Sequence, residues 1–79
     1  SVIDKLKVFN LPITEVKIYT SRVLIISSIT TIIFDLNKDI QNQLAALQLI
    51  LEKAKIDKDQ IEIIDLRFDK PVLRYAQGK

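Results

Sequence analysis

Residues 37–55 read NKDIQNQLAALQLILEKAK, and this stretch decides the fold. Its apolar residues recur at spacings of four and three, which places them in one stripe along an α-helix. Asn37 or Asp39 can accept hydrogen bonds from the free N–H groups of the first turn and so begin the helix. The helix is predicted to run to about Lys55, and its stripe consists of Ile40, Leu44, Leu47, Leu51 and Ala54.

Such a stripe can pack on a sheet or form the seam of a coiled coil. The stripe spans barely two heptads, whereas a coiled coil is indicated by about three or four. The segments on both sides of the helix also resemble strands. Packing of the helix on a sheet is therefore the favoured interpretation.

Three strand-like segments precede the helix, at 13–20 (ITEVKIYT), 22–27 (RVLIIS) and 30–36 (TTIIFDL). The first alternates between apolar and polar residues, as a half-buried strand does. The second is apolar on both faces, which is typical of a central or covered strand. Because the links between the three are short, they are predicted to form an antiparallel meander.

The remaining segments complete the order α-β-β-β-α-β-β. Residues 2–9 have helical spacing and end at Leu11-Pro12, 61–68 and 72–77 are strand-like, and charged or Pro-containing turns separate them. The predicted fold class is α+β, with two layers: a small antiparallel or mixed sheet covered on one face by helices. The predicted core is Val16, Ile18, Leu24, Ile26, Ile32, Phe34, Leu44, Leu47, Leu51, Ile64 and Leu66.

Composition excludes several classes of function. The 79 residues fit one domain and include neither Cys nor His, so a thiolate nucleophile and the commonest general base are missing. One Gly cannot build a phosphate-binding loop. No run reaches the roughly 18 apolar residues of a membrane span. We expect a single non-enzymatic domain with no cofactor and no metal.

Two groups of side chains that can carry chemistry have simpler interpretations. Asp57, Asp59 and Glu62 can be ligands for a hard cation, but lysines are interleaved and no Gly provides a sharp bend. A solvated turn between helix and strand is the favoured interpretation. Ser21, Ser27 and Ser28 are possible nucleophiles, but the chain has no His to activate them, and they are predicted to be turn residues.

A basic and aromatic group occupies the last thirteen residues and permits three interpretations. It can be the ordinary solvated face of a strand pair, a stacking surface for single-stranded nucleic acid, or an edge strand that accepts a partner. Charges are mixed along the chain, with a net charge of +2 and no basic stripe, which disfavours nucleic acid. Phe68 shares a face with Ile64 and Leu66 in a strand over 61–68, which favours the core over a stacking position.

The stretch 61–75 (IEIIDLRFDKPVLRY) resembles the end of the extracytoplasmic β-domain of the bacterial cell division family FtsQ, called DivIB in Gram-positive organisms. Residues 64–68 (IDLRF) are similar to an element of that family that reads I/V-D-L-R-Y/F. The strand at 13–18 and the helical residues 44–51 follow the family order. The turn 69–71 departs from the family, which often has Gly there.

The resemblance implies a scaffold domain of the divisome without enzymatic activity. It implies that the domain is excised from a longer single-pass membrane protein and faces the extracytoplasmic side of the cytoplasmic membrane. It also implies binding of FtsB/FtsL-type proteins by addition of a strand to the last strand. Phe68 matches the aromatic that closes the family element, and Tyr75 matches a second contact aromatic if a gap of one residue is allowed.

The residues of the last strand also favour partner binding at this end of the chain. Pro71 cannot donate to a strand ladder, so it belongs at a strand start or on an edge. An edge strand has free backbone groups, and strand addition uses them for affinity while alternate side chains give specificity. The predicted partner-binding residues are Arg67, Phe68, Lys70, Val72, Arg74 and Tyr75.

Two other functions stay open at this point. One is a small domain that binds an anion or nucleic acid through the basic C-terminal strand. The other is self-association through the same edge strand.

Overall fold

The structure, a computed structural model, describes residues 2–58 and 60–76 of the chain. It confirms the predicted order of helices and strands and the α+β class, with one long helix on a five-stranded mixed sheet. The elements are helix α1 (Val2–Leu6) with a 3₁₀ turn (Lys7–Phe9), strands β1 (Ile13–Ile18), β2 (Arg22–Ser27) and β3 (Thr31–Asp35), helix α2 (Ile40–Asp57), and strands β4 (Ile61–Asp65) and β5 (Val72–Tyr75).

The sheet has the strand order β1-β2-β3-β4-β5, so β1 and β5 are its edges. Strands β1, β2 and β3 form the predicted antiparallel meander. Strand β4 pairs with β3 in parallel, because α2 returns the chain across the sheet between them. Strand β5 then pairs with β4 in the antiparallel sense.

Helix α2 begins and ends at residues with identifiable capping geometry. Asp39 accepts a hydrogen bond from the Gln41 N–H at 2.8 Å, as predicted for a capping residue. At the other end Lys58 adopts the left-handed conformation (φ 59°) and donates its N–H to the Ala54 carbonyl. The helix therefore extends two residues beyond the predicted end at Lys55. All five predicted stripe residues line or pack against the core.

A buried glutamine ties α2 to the sheet. The Gln43 amide accepts a hydrogen bond from the Asp35 N–H and donates one to the Asp35 carbonyl, both at 2.8 Å. It also donates to the Asp39 carbonyl at 3.3 Å. The end of β3 and the first turn of α2 are thus fixed together by one side chain, whose polar atoms are satisfied inside the core.

The core lies between the helices and one face of the sheet, and its composition corrects part of the prediction. In β2 the buried hydrophobic residues are Val23 and Ile25, not Leu24 and Ile26. The register explains the difference, because Val23 pairs with Phe34 and Ile25 pairs with Ile32. The buried hydrophobic residues are Leu6, Val23, Ile25, Ile32, Phe34, Leu44, Leu47, Ile61, Ile64 and Leu66.

The predicted burial of Ile18 is also wrong, since 70% of this residue is exposed. Ile18 pairs with Val23 and so faces the helix side, but it is the last residue of an edge strand. Val16, two residues earlier, does pack against the core. Leu6 of α1 is fully buried, although it is not among the predicted core residues.

A bulge in β4 explains why two residues three apart both reach the core. The register with β5 shifts between Ile61 and Ile63, so Glu62 is an extra residue on β4. Ile61 and Ile64 consequently lie on the same buried face. The strand ends at Asp65, three residues before the predicted end at Phe68.

Candidate functional site

Strand β5 is an edge, and the direction of its backbone groups follows from one hydrogen bond. The Ala76 N–H donates to the Gln60 carbonyl at 2.9 Å, so it points toward β4. Backbone groups alternate sides along an extended strand, and β5 itself has no bulge. The N–H and C=O groups of Leu73 and Tyr75 therefore point away from the sheet. Within the described part of the chain β5 pairs only with β4.

The side chains of β5 divide between the two faces of the sheet. Leu73 packs against the core, and Tyr75 follows it on the helix side, where it is half exposed. These two residues, with others from α2 and β4, line a shallow cavity of about 100 Å³. The remaining lining residues are Ile50, Lys53, Ala54 and Ile61.

Val72 and Arg74 lie on either side of Leu73 in the strand, so their side chains are on the opposite face of the sheet. The Arg74 guanidinium forms an ion pair with Glu62, with 2.9 Å between Nε and Oε1. Val72 is half exposed. The predicted binding residues of β5 therefore do not form one surface, since only Tyr75 shares a side with α2.

The turn before β5 is held by Asp65. Its carboxylate accepts three hydrogen bonds from Arg67: from the backbone N–H at 3.1 Å, from Nε at 2.9 Å and from an Nη at 2.7 Å. This local ring of bonds is incompatible with a continued strand, so β4 ends here. The side-chain hydrogen bonds from Arg67 hold the pKa of Asp65 below its ordinary value, although burial acts in the opposite direction.

Phe68 lies in this turn rather than in the core, which corrects the predicted burial. It is 54% exposed, because the chain leaves the strand at Asp65. Its ring lies 5.6 Å from the Arg67 guanidinium carbon. It also lines a cavity of about 190 Å³ with Lys38, Leu66 and Pro71 among others. An exposed aromatic side chain here is available to contact a second molecule.

Lys38, two residues before α2, stabilises the same turn. Its Nζ donates to the Arg67 carbonyl at 2.7 Å and lies 3.9 Å from an Asp69 carboxylate oxygen. Lys38 is separated from Arg67 by 29 positions, and no local pattern indicates that pairing. Lys70 follows in the turn and is exposed.

Tyr75 is the last residue of β5, and Phe68 lies in the turn that precedes the strand. The strand from Val72 to Tyr75 rises about 3.4 Å per residue, so its length is roughly 10 Å. A partner strand of four or five residues spans that distance. The arrangement provides a row of backbone groups with one exposed aromatic side chain near each end.

The other candidate groups have structural roles. Ser27 is the last residue of β2, and its hydroxyl holds the turn that follows: it donates to the Thr30 carbonyl at 2.7 Å and accepts from the Ile29 and Thr30 N–H groups. Asp57 pairs with Lys53 at 3.4 Å. Residues 2–58 and 60–76 contain no group of three acidic side chains that could hold a metal ion. Asp59 and Lys79, the last basic residue of the C-terminal basic and aromatic group, lie outside the described residues.

Among the described residues, no helix has both the length and the apolar character needed to cross a bilayer. Comparisons of the chain with models of protein families, with curated proteins and with solved structures found no match.

Proposed function

We propose that this chain is a non-catalytic docking domain whose edge strand β5 binds an extended segment of a protein partner. On the resemblance of residues 61–75, we further propose that the domain belongs to a divisome scaffold of the FtsQ/DivIB type. The partner is then an FtsB/FtsL-type protein, and the domain lies on the extracytoplasmic side of the cytoplasmic membrane. The divisome assignment depends on that resemblance alone.

The observation that carries the docking proposal is the outward direction of the backbone groups of Leu73 and Tyr75 on an edge strand. A partner strand can satisfy these groups with main-chain hydrogen bonds. Proteins usually protect such edges with charge, Pro or a covering element. Here Pro71 lies just outside β5 and Arg74 is already paired with Glu62, so neither residue protects the backbone of the strand itself.

Side-chain specificity comes from the aromatic residues. Tyr75 and Phe68 are each about half exposed, and both line shallow cavities on the helix side of the sheet. Aromatic residues dominate the energetics of protein interfaces when a partner covers them. Apolar side chains at alternate positions of a partner strand would fill the cavity beside Tyr75.

The ion pairs weigh against the nucleic-acid alternative. Arg67 is bound to Asp65, Arg74 to Glu62, and Lys38 to Asp69. Each of these cations already has a carboxylate partner, so the turn and strand do not present a concentrated positive surface. Nucleic-acid binding usually requires such a surface.

A pair of substitutions at Leu73 tests strand addition directly. Leu73→Pro removes the outward N–H and places a ring on the edge, while Leu73→Ala removes the side chain and keeps the N–H. Binding of the extracytoplasmic part of an FtsB-type protein from the same genome is measured by calorimetry. We expect Leu73→Pro to bind at least about tenfold more weakly than Leu73→Ala, since a blocked edge loses hydrogen bonds and backbone approach.

The anchors are tested in the same assay. Phe68→Ala and Tyr75→Ala should each cost ~1–2 kcal/mol of binding free energy or more. Circular dichroism establishes that each variant is folded. Affinities within about twofold of the unchanged protein, with the fold intact, would place the docking site elsewhere.

Salt dependence separates the proposed function from its rival. Binding of a single-stranded oligonucleotide that weakens steeply with added salt would support the nucleic-acid alternative. Strand addition should depend much less on salt. Failure of the FtsB-type protein to bind would remove the divisome assignment, because that assignment names this partner.

A further inference from the structure

The turn between β4 and β5, residues 66–71, carries Phe68 and has no regular secondary structure to hold it. We call this segment the Phe68 turn. Leu66 at its start is fixed, because its side chain is buried and its N–H donates to the Ile33 carbonyl at 2.9 Å. From 67 to 71, no backbone–backbone hydrogen bond links the turn to another described segment. The position of Phe68 therefore depends on side chains.

Among the described residues, two side chains form hydrogen bonds with the Phe68 turn. Asp65 accepts the three bonds from Arg67, all of them on the β4 side of Phe68. Lys38 reaches the turn from a segment far away in the chain. Its Nζ donates to the Arg67 carbonyl at 2.7 Å and lies 3.9 Å from a carboxylate oxygen of Asp69. One amine thus contacts the residue before Phe68 and the residue after it.

The backbone of Lys38 is itself held in place. Its N–H donates to the Asp35 carbonyl at 3.4 Å, at the end of β3. Gln43 binds both backbone groups of Asp35 from inside the core, so this short link is connected to α2 and to the sheet. Asp39, the next residue, caps α2. A side chain that extends from so fixed a backbone can hold a neighbouring turn in one position.

Of the two contacts that the Lys38 amine makes, the bond to the carbonyl is the stronger. The Asp69 carboxylate is fully exposed and 3.9 Å is long for an ion pair, so solvent screens the attraction. The bond to the Arg67 carbonyl is short and charge-assisted. The Lys38 side chain is 48% exposed, so even this bond adds little to global stability. Its main effect is on the order of the turn.

We propose that Lys38 is a positioning residue for partner binding. Its amine orders the Phe68 turn before a partner arrives, so the aromatic ring is already in place beside the edge of β5. This role rests on the proposed docking function, because it concerns binding through Phe68. A segment that is ordered only on binding lowers the affinity, and fixing the backbone of one residue corresponds to roughly a five- to thirtyfold change in an equilibrium constant.

Binding of the extracytoplasmic part of an FtsB-type protein from the same genome, measured by calorimetry, tests the proposal. Lys38→Met keeps the aliphatic stem and removes the amine, and should bind about fivefold or more weakly than the unchanged chain. Lys38→Arg keeps a charged donor and should restore binding to within about threefold. Lys55→Met is the matched control and should leave the affinity unchanged. This exposed lysine lies beside Val8 and Phe9, on the other side of α2 from β5.

A direct contact between Lys38 and the partner is the rival explanation, since Lys38 and Phe68 line the same cavity of about 190 Å³. The two explanations differ in their dependence on the ring. If Lys38 acts by positioning the ring, its loss has little further effect once the ring is removed. Lys38→Met should therefore change the affinity by no more than about twofold in the Phe68→Ala background, whereas a direct contact would keep its full effect there.

Backbone amide relaxation of the unliganded chain, measured by NMR, is a second readout that needs no partner. The order parameters of the Phe68 and Asp69 amides should fall from about 0.85 toward 0.6 in Lys38→Met. They should stay at the values of the unchanged chain in Lys38→Arg and Lys55→Met. The urea midpoint should shift by less than about 0.5 M in all three variants, so that a loss of binding does not reflect unfolding.

Unchanged order parameters in folded Lys38→Met would overturn the proposal, because the turn would then be ordered without the amine. So would a Lys38→Met variant that keeps full affinity while Phe68→Ala loses it, and in that case the docking function itself would stand. A loss that is equally large in the Phe68→Ala background would assign Lys38 to direct contact instead. Binding by no variant, the unchanged chain included, would remove the docking function and this role of Lys38 with it.

Discussion

Replacing Asp65 by Asn isolates the interaction that ends β4 and forms the turn before β5. The carboxylate is 12% exposed and accepts three hydrogen bonds from Arg67, at 2.7 to 3.1 Å. The amide keeps one acceptor oxygen for two of these bonds. It loses the negative charge and places an NH₂ group where the Arg67 Nη now donates.

The magnitude follows from the exposure of the two groups. Hydrogen bonds to charged groups contribute about 1.5–3 kcal/mol when they are well protected from water. The Arg67 side chain is 37% exposed, so solvent screens part of the attraction. We expect Asp65→Asn to lower the free energy of unfolding by about 1–2 kcal/mol, or the melting temperature by roughly 4–16 °C for a chain of this size.

The assay is urea denaturation at neutral pH, with Asp69→Asn as the matched control. Asp69 also belongs to an ion pair in this turn, but its carboxylate is fully exposed and lies 3.9 Å from the Lys38 amine. Little change is expected for the control. Equal losses for the two variants would refute the reasoning, because burial and bidentate geometry would then have no effect.

The same pair predicts a pH dependence. The folded-state pKa of Asp65 is lowered from the ordinary 3.8, so the folded state binds this proton less tightly than the unfolded chain does. The contribution to stability is complete above the unfolded-state pKa and is lost as the pH falls through the lower folded-state value. The stability difference between the unchanged protein and Asp65→Asn should therefore shrink only in strong acid. A difference that disappears near neutral pH would contradict this assignment.

Three further substitutions and one exposed control, Leu49→Ala, test the fold by urea denaturation. Gln43→Leu puts an apolar side chain of similar size in place of the amide and removes the hydrogen bonds to both Asp35 backbone groups. It should lower the free energy of unfolding by about 1–3 kcal/mol. Lys58→Gly should stabilise by about 0.5–1 kcal/mol, because only glycine adopts φ 59° without a Cβ penalty. Leu47→Ala, at a fully buried site, should cost about 2–5 kcal/mol. Leu49→Ala on the exposed side of α2 should stay within about 0.5 kcal/mol. A stability change of the opposite sign would contradict the predictions for Gln43→Leu and Lys58→Gly. Equal losses in the two leucine variants would contradict the prediction for Leu47→Ala.

Sequence periodicity was sufficient to predict α2 because the apolar residues that face the core recur at spacings of four and three. Ile40, Leu44 and Leu47 can share a face only in a helical conformation, and the Asp39 cap is a local interaction. The end of the helix is harder to predict from the sequence. Lys58 closes it in a left-handed conformation that lysine rarely adopts, and no glycine signals that position.

The face of β2 could not be predicted from its own residues. Val23, Leu24, Ile25 and Ile26 are all apolar, so alternation has two equivalent solutions. The choice is made by pairing with β3, where Ile32 and Phe34 are buried. A local pattern carries no information about that register when both faces are apolar.

Phe68 is exposed because β4 ends at Asp65, and the alternation of residues 61–68 does not indicate that end. Alternation predicted a strand through Phe68, whereas Asp65 offers the backbone and side chain of Arg67 a local set of hydrogen bonds instead. The D-x-R spacing that forms these bonds is visible in the sequence. Alternation alone does not reveal this effect, because it takes no account of the Asp65 side chain as an acceptor.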